Sequence, residues 1–316
     1  MSLYLQLTYN CNLRCRHCYL SSRLGHSEEF HFTNEILAFL GRHKAINRVV
    51  IHGGEPVMAG FEKVKDLIKA LPPDKRVSFQ TNLIAIPERL LDSWADLFLK
   101  HTGGRIGTSM DVYRSDWFDF WRERVIGLIE KGVKITVLVT LAEGNTSFYW
   151  KLFDFCIKNG IRIKFQFEYR PSYSKSYTEK IRSLTDWLFE RAVSVYSKSE
   201  TLYKMFSISK KVCTDTFTVS PDGYLYMCPT LSWSDKFRIG HISDQYLRID
   251  DSDPYKYLIA YYKYAASVCD KDCWNECFGG CPATVLYGFF RGIKRLDSYC
   301  DIKKRLIRRI RDVSCS

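Results

Sequence analysis

The sequence predicts an α/β fold: a parallel sheet curved or closed into a partial (β/α)6 barrel, then a cysteine-rich domain with a β-hairpin and short helices. Three observations carry this. Short runs rich in Val, Ile and Phe alternate with helix-like stretches from the start of the chain to Glu168. One turn-bounded hairpin, TFTVSPDGYLYMC, follows at 216–228, with Pro-Asp-Gly as its turn. After Ser207 the chain becomes loop-rich and crowded with cysteine.

The strand candidates are Leu3–Tyr9, Arg48–His52, Arg76–Thr81, Arg105–Met110, Lys134–Thr140 and Ile161–Glu168. Helices are expected to begin near Thr33, Phe61, Pro87, Ser115 and Ser147, with a start signal at Thr33 and with Pro87 at a first helical position. Such alternation calls for right-handed crossovers between parallel strands, and it puts chemistry at the carboxyl ends of the strands. A charged, aromatic stretch, EYRPSYSKSYTEK, follows the sixth strand, and a long helix is expected from about Thr178 to Ser199. The division drawn from these shifts is a core at 1–205, a cysteine-rich domain at 206–301 and a basic helix and tail at 302–316. In that helix, apolar residues at 302, 306, 307 and 310 predict docking on a core, and the basic face reads as solvated surface.

Composition narrows the function classes. A chain of 316 residues, 46% hydrophobic, is globular, and it contains no apolar run of membrane-spanning length. The first residues read as a strand and not as a leader, so the expectation is a soluble cytoplasmic protein. Twelve cysteines in a reducing compartment point to metal or redox chemistry instead of disulfides. The formal charge of +12 suggests nucleic acid, but thiolate-held clusters would lower it, and nucleic acid is not the expected partner.

Cys11, Cys15 and Cys18 lie within eight residues, directly after the first strand. A structural zinc would want a fourth ligand, for which His17 is the nearby candidate. A cubane iron–sulfur cluster held by three thiolates instead keeps one iron open to a small molecule. The second strand runs into VVIHGGEP, where Gly53, Gly54, Glu55 and Pro56 form either an ordinary strand-to-helix turn or a close backbone approach to a ligand.

Together these motifs resemble the radical S-adenosylmethionine (radical SAM) superfamily. The resemblance implies a [4Fe-4S] cluster on Cys11, Cys15 and Cys18 whose open iron is chelated by SAM. It also implies His17 near the adenine and the GGEP element at the SAM amino group. Gln80 and Asn82 at the third strand end, and Ser109 and Asp111 at the fourth, match positions that contact SAM in the family.

The downstream cysteines resemble the SPASM extension, which carries two auxiliary [4Fe-4S] clusters. By position, Cys213, Cys228 and Cys281 would hold one, and Cys269, Cys273, Cys277 and Cys300 the other. The spacing from Cys213 through Gly223 to Cys228 follows the family pattern, whereas the even gaps from Cys269 to Cys281 depart from it. A pair of zinc sites is the alternative reading of the same residues. Cys156, in LFDFCIKNG, reads as a core thiol.

By the same resemblance, the chain cleaves SAM to a 5′-deoxyadenosyl radical and removes a hydrogen atom from a substrate. Auxiliary clusters suit oxidative outcomes, so the leading expectation is crosslinking or dehydrogenation of a ribosomally made peptide. The alternative is a small-molecule dehydrogenase or epimerase of natural-product metabolism. Sulfatase maturases place an Asp after the cysteine matching Cys228, where this chain has Pro229. Expected substrate contacts are His52, Glu168, Tyr169 and Arg170, although Glu168 and Arg170 equally suit a surface ion pair. The expected partners are a peptide, bound directly or through a separate peptide-recognition protein, and a flavodoxin or ferredoxin as electron donor.

Overall fold

The structure is a computed structural model. It describes residues 1–26, 30–168, 175–196, 198–208, 216–247, 252–269, 281, 283 and 297–315. Tyr169, Arg170, Cys213, Cys273 and Cys277 lie outside the described residues. By contact the chain divides into two units. The first is Met1–Met110, Arg114–Val137 and Thr214–Lys256; the second is Asp111–Tyr113, Leu138–Cys213 and Tyr257–Ser316.

The first unit holds β1 (Ser2–Gln6), α1 (Thr33–Arg42), β2 (Arg48–His52), α2 (Phe61–Ala70), β3 (Arg76–Thr81), α3 (Leu91–His101), β4 (Arg105–Ser109) and α4 (Phe118–Glu130). Strands β1 to β4 pair in parallel and in register, with Leu5 beside Ile51, Ile51 beside Phe79 and Phe79 beside Ile106. Alternation sends that row to one face, where it is buried. Trp94 and Phe98 of α3 lie against Phe79, with ring centroids 5.4 and 5.2 Å away. Each such side chain removed from water contributes about 1.5–3 kcal/mol. On the other face Gln6 stands in register with His52, and this polar side leads to the strand ends.

Strands β7 (Thr216–Val219), β8 (Tyr224–Tyr226) and β9 (Arg238–His241) complete this unit. The hairpin forms as expected, and its turn uses Gly223 at φ 82°. However, β7 pairs in parallel with β1, Thr218 beside Tyr4, so a hairpin assigned by sequence to a later domain extends the sheet of the first strands. Pairing hides the edge that β1 would otherwise present. The sheet is open at β9.

Two helix starts differ from expectation. Pro87 is extended at ψ 143°, and a 3-10 turn at Glu88–Leu90 precedes α3. A longer 3-10 turn, Val112–Trp117, precedes α4. The first strand is also shorter than predicted, since the ladder ends at Gln6.

Strand β5 (Lys134–Leu141) and helix α8 (Asp253–Val268) begin in the first unit and end in the second, which contains α5 (Thr146–Lys158), β6 (Arg162–Phe167), α6 (Lys175–Val195), α7 (Ser199–Met205) and α9 (Asp297–Cys315). The long helix predicted to Ser199 stops at Val195, and α7 follows after the extended Lys198. Phe153, Phe165 and Phe206 pack together, and Cys156 is a fully buried core thiol, pushed up to about 12 by burial. Ile302, Leu306, Ile307 and Ile310 of α9 are buried, and α9 packs on α6 and α7. Arg305 and Arg309 donate to Asp186 at 2.9 and 2.7 Å, so part of the basic face is paired. Among the described residues, no helix is long and apolar enough to cross a membrane.

Candidate functional site

In the first unit, the ends of β1, β2 and β3 are joined to the cysteine loop by hydrogen bonds. Leu7 N–H donates to His52 O (3.0 Å), Gly54 N–H to Thr8 O (2.8 Å) and Glu55 N–H to Asn10 O (2.7 Å). This zipper explains both glycines. A Cβ on Gly53, which has φ 145°, would stand 2.8 Å from Thr8 O; one on Gly54 would stand 2.4 Å from Asn10 O. The glycines are therefore required by protein backbone, whatever a ligand adds. Pro56 starts a 3-10 turn that Glu55 caps by accepting from Val57 N–H at 3.3 Å.

The Glu55 carboxylate is 1% exposed. It accepts from the Thr81 hydroxyl and from Asn82 N–H, each at 2.7 Å. The Thr81 hydroxyl itself accepts Leu83 N–H at 3.0 Å, so its proton is directed to Glu55. Burial pushes the Glu55 carboxyl up to about 7, against the three donors that favour its ionised form. The Asn82 side chain is also committed: Oδ1 accepts from Ile84 and Ala85 N–H, and Nδ2 donates to Asn12 Oδ1 at 2.8 Å.

Cys11, Cys15 and Cys18 are half-buried thiols on this loop, outside any disulfide. Leu13 N–H donates to Cys11 Sγ at 3.4 Å, and Cys18 N–H donates to Cys15 O at 3.0 Å. Burial pushes the Cys11 thiol up to about 11; Leu13 opposes this, while Glu55, Cys15 and Cys18 add to it. Burial likewise raises Cys18, with Arg14 and Arg114 pulling the other way. Among the described residues, no three Cys, His, Asp or Glu side chains converge on a single-ion point. A cubane does not require that, because its thiolates stand on separate corners. The set of three adjacent thiols, an N–H on sulfur, nearby guanidinium groups and a glycine turn too tight for side chains fits a [4Fe-4S] cluster, whose iron charge would supply the thiolate state.

His17 is half-buried beside Cys18 on the same loop. Gln80 Nε2 donates to Ser109 Oγ at 3.2 Å, so the structure brings these two predicted residues together. His52 lies between the rings of Tyr4 and Tyr19 at 6.0 and 6.4 Å; its Nδ1 accepts from Gly53 N–H, and burial lowers it to about 4. It is therefore a neutral imidazole near pH 7.

Sequence reasoning missed Gln6, Tyr19 and Thr218. The Gln6 Nε2 donates to Ser232 Oγ (2.9 Å), whose own proton goes to Pro229 O (2.7 Å), which fixes the amide and leaves Gln6 Oε1 without a partner. Tyr19 Oη and Thr218 Oγ1 are also buried and unpartnered. The available signal was polar residues at alternate positions of apolar strands. Cys228 caps the 3-10 turn Pro229–Trp233 in this unit and lies near enough to Tyr19 for its charge to act on it.

In the second unit, Asp111 and Glu168 are fully buried carboxylates. Tyr113 N–H donates to Asp111 Oδ1 (3.1 Å) and its hydroxyl to Glu168 Oε1 (3.3 Å). Glu168 is thus not at the surface, as the ion-pair alternative would have it. Cys269, Cys281 and Cys300 are half-buried thiols of this unit, outside any disulfide.

Residues 5–146 match the Radical SAM superfamily. This stretch is a radical SAM domain. It spans the cysteine loop, the GGEP turn and the ends of β1 to β5, and such a domain uses a [4Fe-4S] cluster and SAM. Beyond the domain, the chain is 27% identical to the GTP 3′,8-cyclase of Clostridium perfringens over 291 residues, 78% of this chain and 86% of that one. It is 26% identical over 178 residues to a putative L-lysine 2,3-aminomutase of Aquifex aeolicus, 53% of this chain but 48% of the relative, so it spans about half of that protein. The fold as a whole, including the region after the radical SAM domain, is similar to anSMEcpe with bound AdoMet and Cp18Cys peptide. The TM-score is 0.70 and the identity 20%, over 99% of each chain.

Proposed function

We propose that this radical SAM enzyme abstracts hydrogen from a peptide substrate and leaves an oxidative modification, a crosslink or a dehydrogenation. The observation that supports this reading best is the likeness of 99% of the chain to a fold whose structure holds both AdoMet and a peptide. When bound, the cluster and SAM supply one-electron cleavage of SAM and a radical able to remove hydrogen from an unactivated carbon. Cys11, Cys15 and Cys18 would hold the cluster, His17, Gly53, Gly54, Glu55, Pro56, Gln80 and Ser109 would surround SAM, and the later cysteines would hold auxiliary clusters.

The protein's own groups orient the substrate and exclude water. Gln6 Oε1, Tyr19 Oη and Thr218 Oγ1 are buried without partners, and each such atom costs about 1–3 kcal/mol until something satisfies it. A peptide amide, both donor and acceptor, meets that need beside a neutral His52. In the second unit, Glu168, held by Tyr113, is the side chain we assign to substrate contact. An acidic flavodoxin or ferredoxin would supply electrons to a chain of charge +12.

The test uses the full chain with reconstituted clusters, SAM and reductant. Short peptides encoded beside the gene should accelerate 5′-deoxyadenosine formation and emerge two mass units lighter. No stimulation by any of them would sink the reading. The alignment with GTP 3′,8-cyclase over 86% of its length favours a second reading, a small-molecule substrate, so GTP belongs in the same assay.

A further inference from the structure

The residue between the two asparagines of the loop is Cys11, and both of its neighbours are tied to strand ends. On one side, Asn10 O accepts Glu55 N–H at 2.7 Å. On the other, Asn12 Oδ1 accepts Asn82 Nδ2–H at 2.8 Å. The two ties meet again at their far ends, because Asn82 N–H donates to the Glu55 carboxylate at 2.7 Å. A closed circuit of side chain and backbone thus runs from Asn10 through Glu55 and Asn82 to Asn12, with Cys11 as its fourth side.

The circuit has no freedom to reverse at Asn82. Its Oδ1 takes two main-chain N–H groups, of Ile84 and Ala85, so the amide cannot flip without stranding both, and Nδ2 must face Asn12. Asn82 is 7% exposed, whereas Asn12 lies on the exposed side of the loop. The buried partner is therefore the fixed one and the loop residue is the one being held.

We propose that Asn82 is a positioning residue for the cysteine loop, acting through Asn12 on the placement of Cys11, and that touching SAM is not its task. The proposal rests on the assignment of Cys11, Cys15 and Cys18 to the cluster. Losing one hydrogen bond of this kind leaves the loop attached at Asn10 but lets Cys11 swing, which shifts one corner of the cluster relative to SAM.

The experiment compares N12A, N82A, the double variant and N12D in the reconstituted full chain. Readouts are iron content, the electron paramagnetic resonance signal of the reduced cluster with and without SAM, and the KM for SAM. N12A is expected to keep its iron, to change the SAM-induced signal, and to raise KM about fivefold, the scale of one hydrogen bond. The double variant should be no worse than N82A alone, because the pair acts as one unit. N12D keeps an acceptor for Asn82 Nδ2 and should restore the signal and KM. If N82A is impaired while N12A matches the parent chain in both readouts, Asn82 acts on SAM directly and the proposal falls. A C11A variant that retains a SAM-responsive cluster signal would instead overturn the cysteine assignment, leaving the two failures distinguishable.

Discussion

The strand ends of the two units hold polar groups in different ways. In the first, the cysteine loop, the GGEP turn and the end of β3 are joined mostly by main-chain bonds, and the buried carboxylate of Glu55 has three protein donors. In the second, Asp111 and Glu168 are buried acidic side chains braced by Tyr113. The first arrangement combines a main-chain zipper with the side chains of Glu55 and Asn82. The second rests on one residue, Tyr113, whose main-chain N–H braces Asp111 and whose hydroxyl braces Glu168. The proposed roles of Glu55 beside the cofactor and Glu168 beside the substrate make the two separable by mutation.

The largest effect should come from the main-chain zipper. Gly54→Ala puts a Cβ 2.4 Å from Asn10 O, so the loop before Cys11 must move. SAM cleavage, measured as 5′-deoxyadenosine formed without substrate, should fall about 10²-fold, as misplacement on the ångström scale does. Normal cleavage in this variant would remove the contrast between the units.

Next comes the carboxylate that ties β2 to β3. Glu55→Ala strands buried donors at Thr81 and Asn82 and should cost about 2–3 kcal/mol in urea unfolding. An unchanged midpoint would mean that solvent replaces the carboxylate.

Glu168→Gln tests the other side. It keeps the acceptor for Tyr113 but removes the charge, so uncoupled SAM cleavage should stay within about twofold while substrate-stimulated turnover falls about tenfold. Equal losses in both assays would show that the second unit also serves the cofactor.

The smallest effect concerns pH. Burial lowers His52 to about 4 from its ordinary 6.5, so between those values the unfolded chain binds the extra proton. The stability His52 contributes as a neutral ring is complete above about pH 6.5 and is lost as pH falls toward 4. His52→Asn should flatten the drop in urea midpoint between pH 7 and pH 5, and a slope identical to that of the parent chain would reject the neutral-ring assignment.

Much of the cofactor half was legible in the primary structure. Strands β2 and β3 have the predicted bounds, β2 because Val49, Val50 and Ile51 make a continuous buried run and β3 because apolar Val77 and Phe79 alternate with polar residues. The three thiols and GGEP were legible as motifs because chemistry and close approach restrict residue type. The reason for the glycines was not: ligand approach was the sequence reading, and backbone crowding at Thr8 and Asn10 is what the fold adds. Pro87 misled as a helix start because proline suits an extended residue before a 3-10 turn equally well.

What the sequence alone determined about this protein is the alternation that makes an α/β sheet, the thiol triplet after its first strand and the apolar stripe that docks α9. These are local, set by period and residue type. Tertiary structure decided that β7 joins β1, that Asn12 is held by Asn82, and that Gln6, Tyr19 and Thr218 are left with unpartnered buried atoms. Those outcomes depend on segments separated by 70 residues or more, or on which hydrogen bonds remain after the sheet has formed, and no local pattern encodes either.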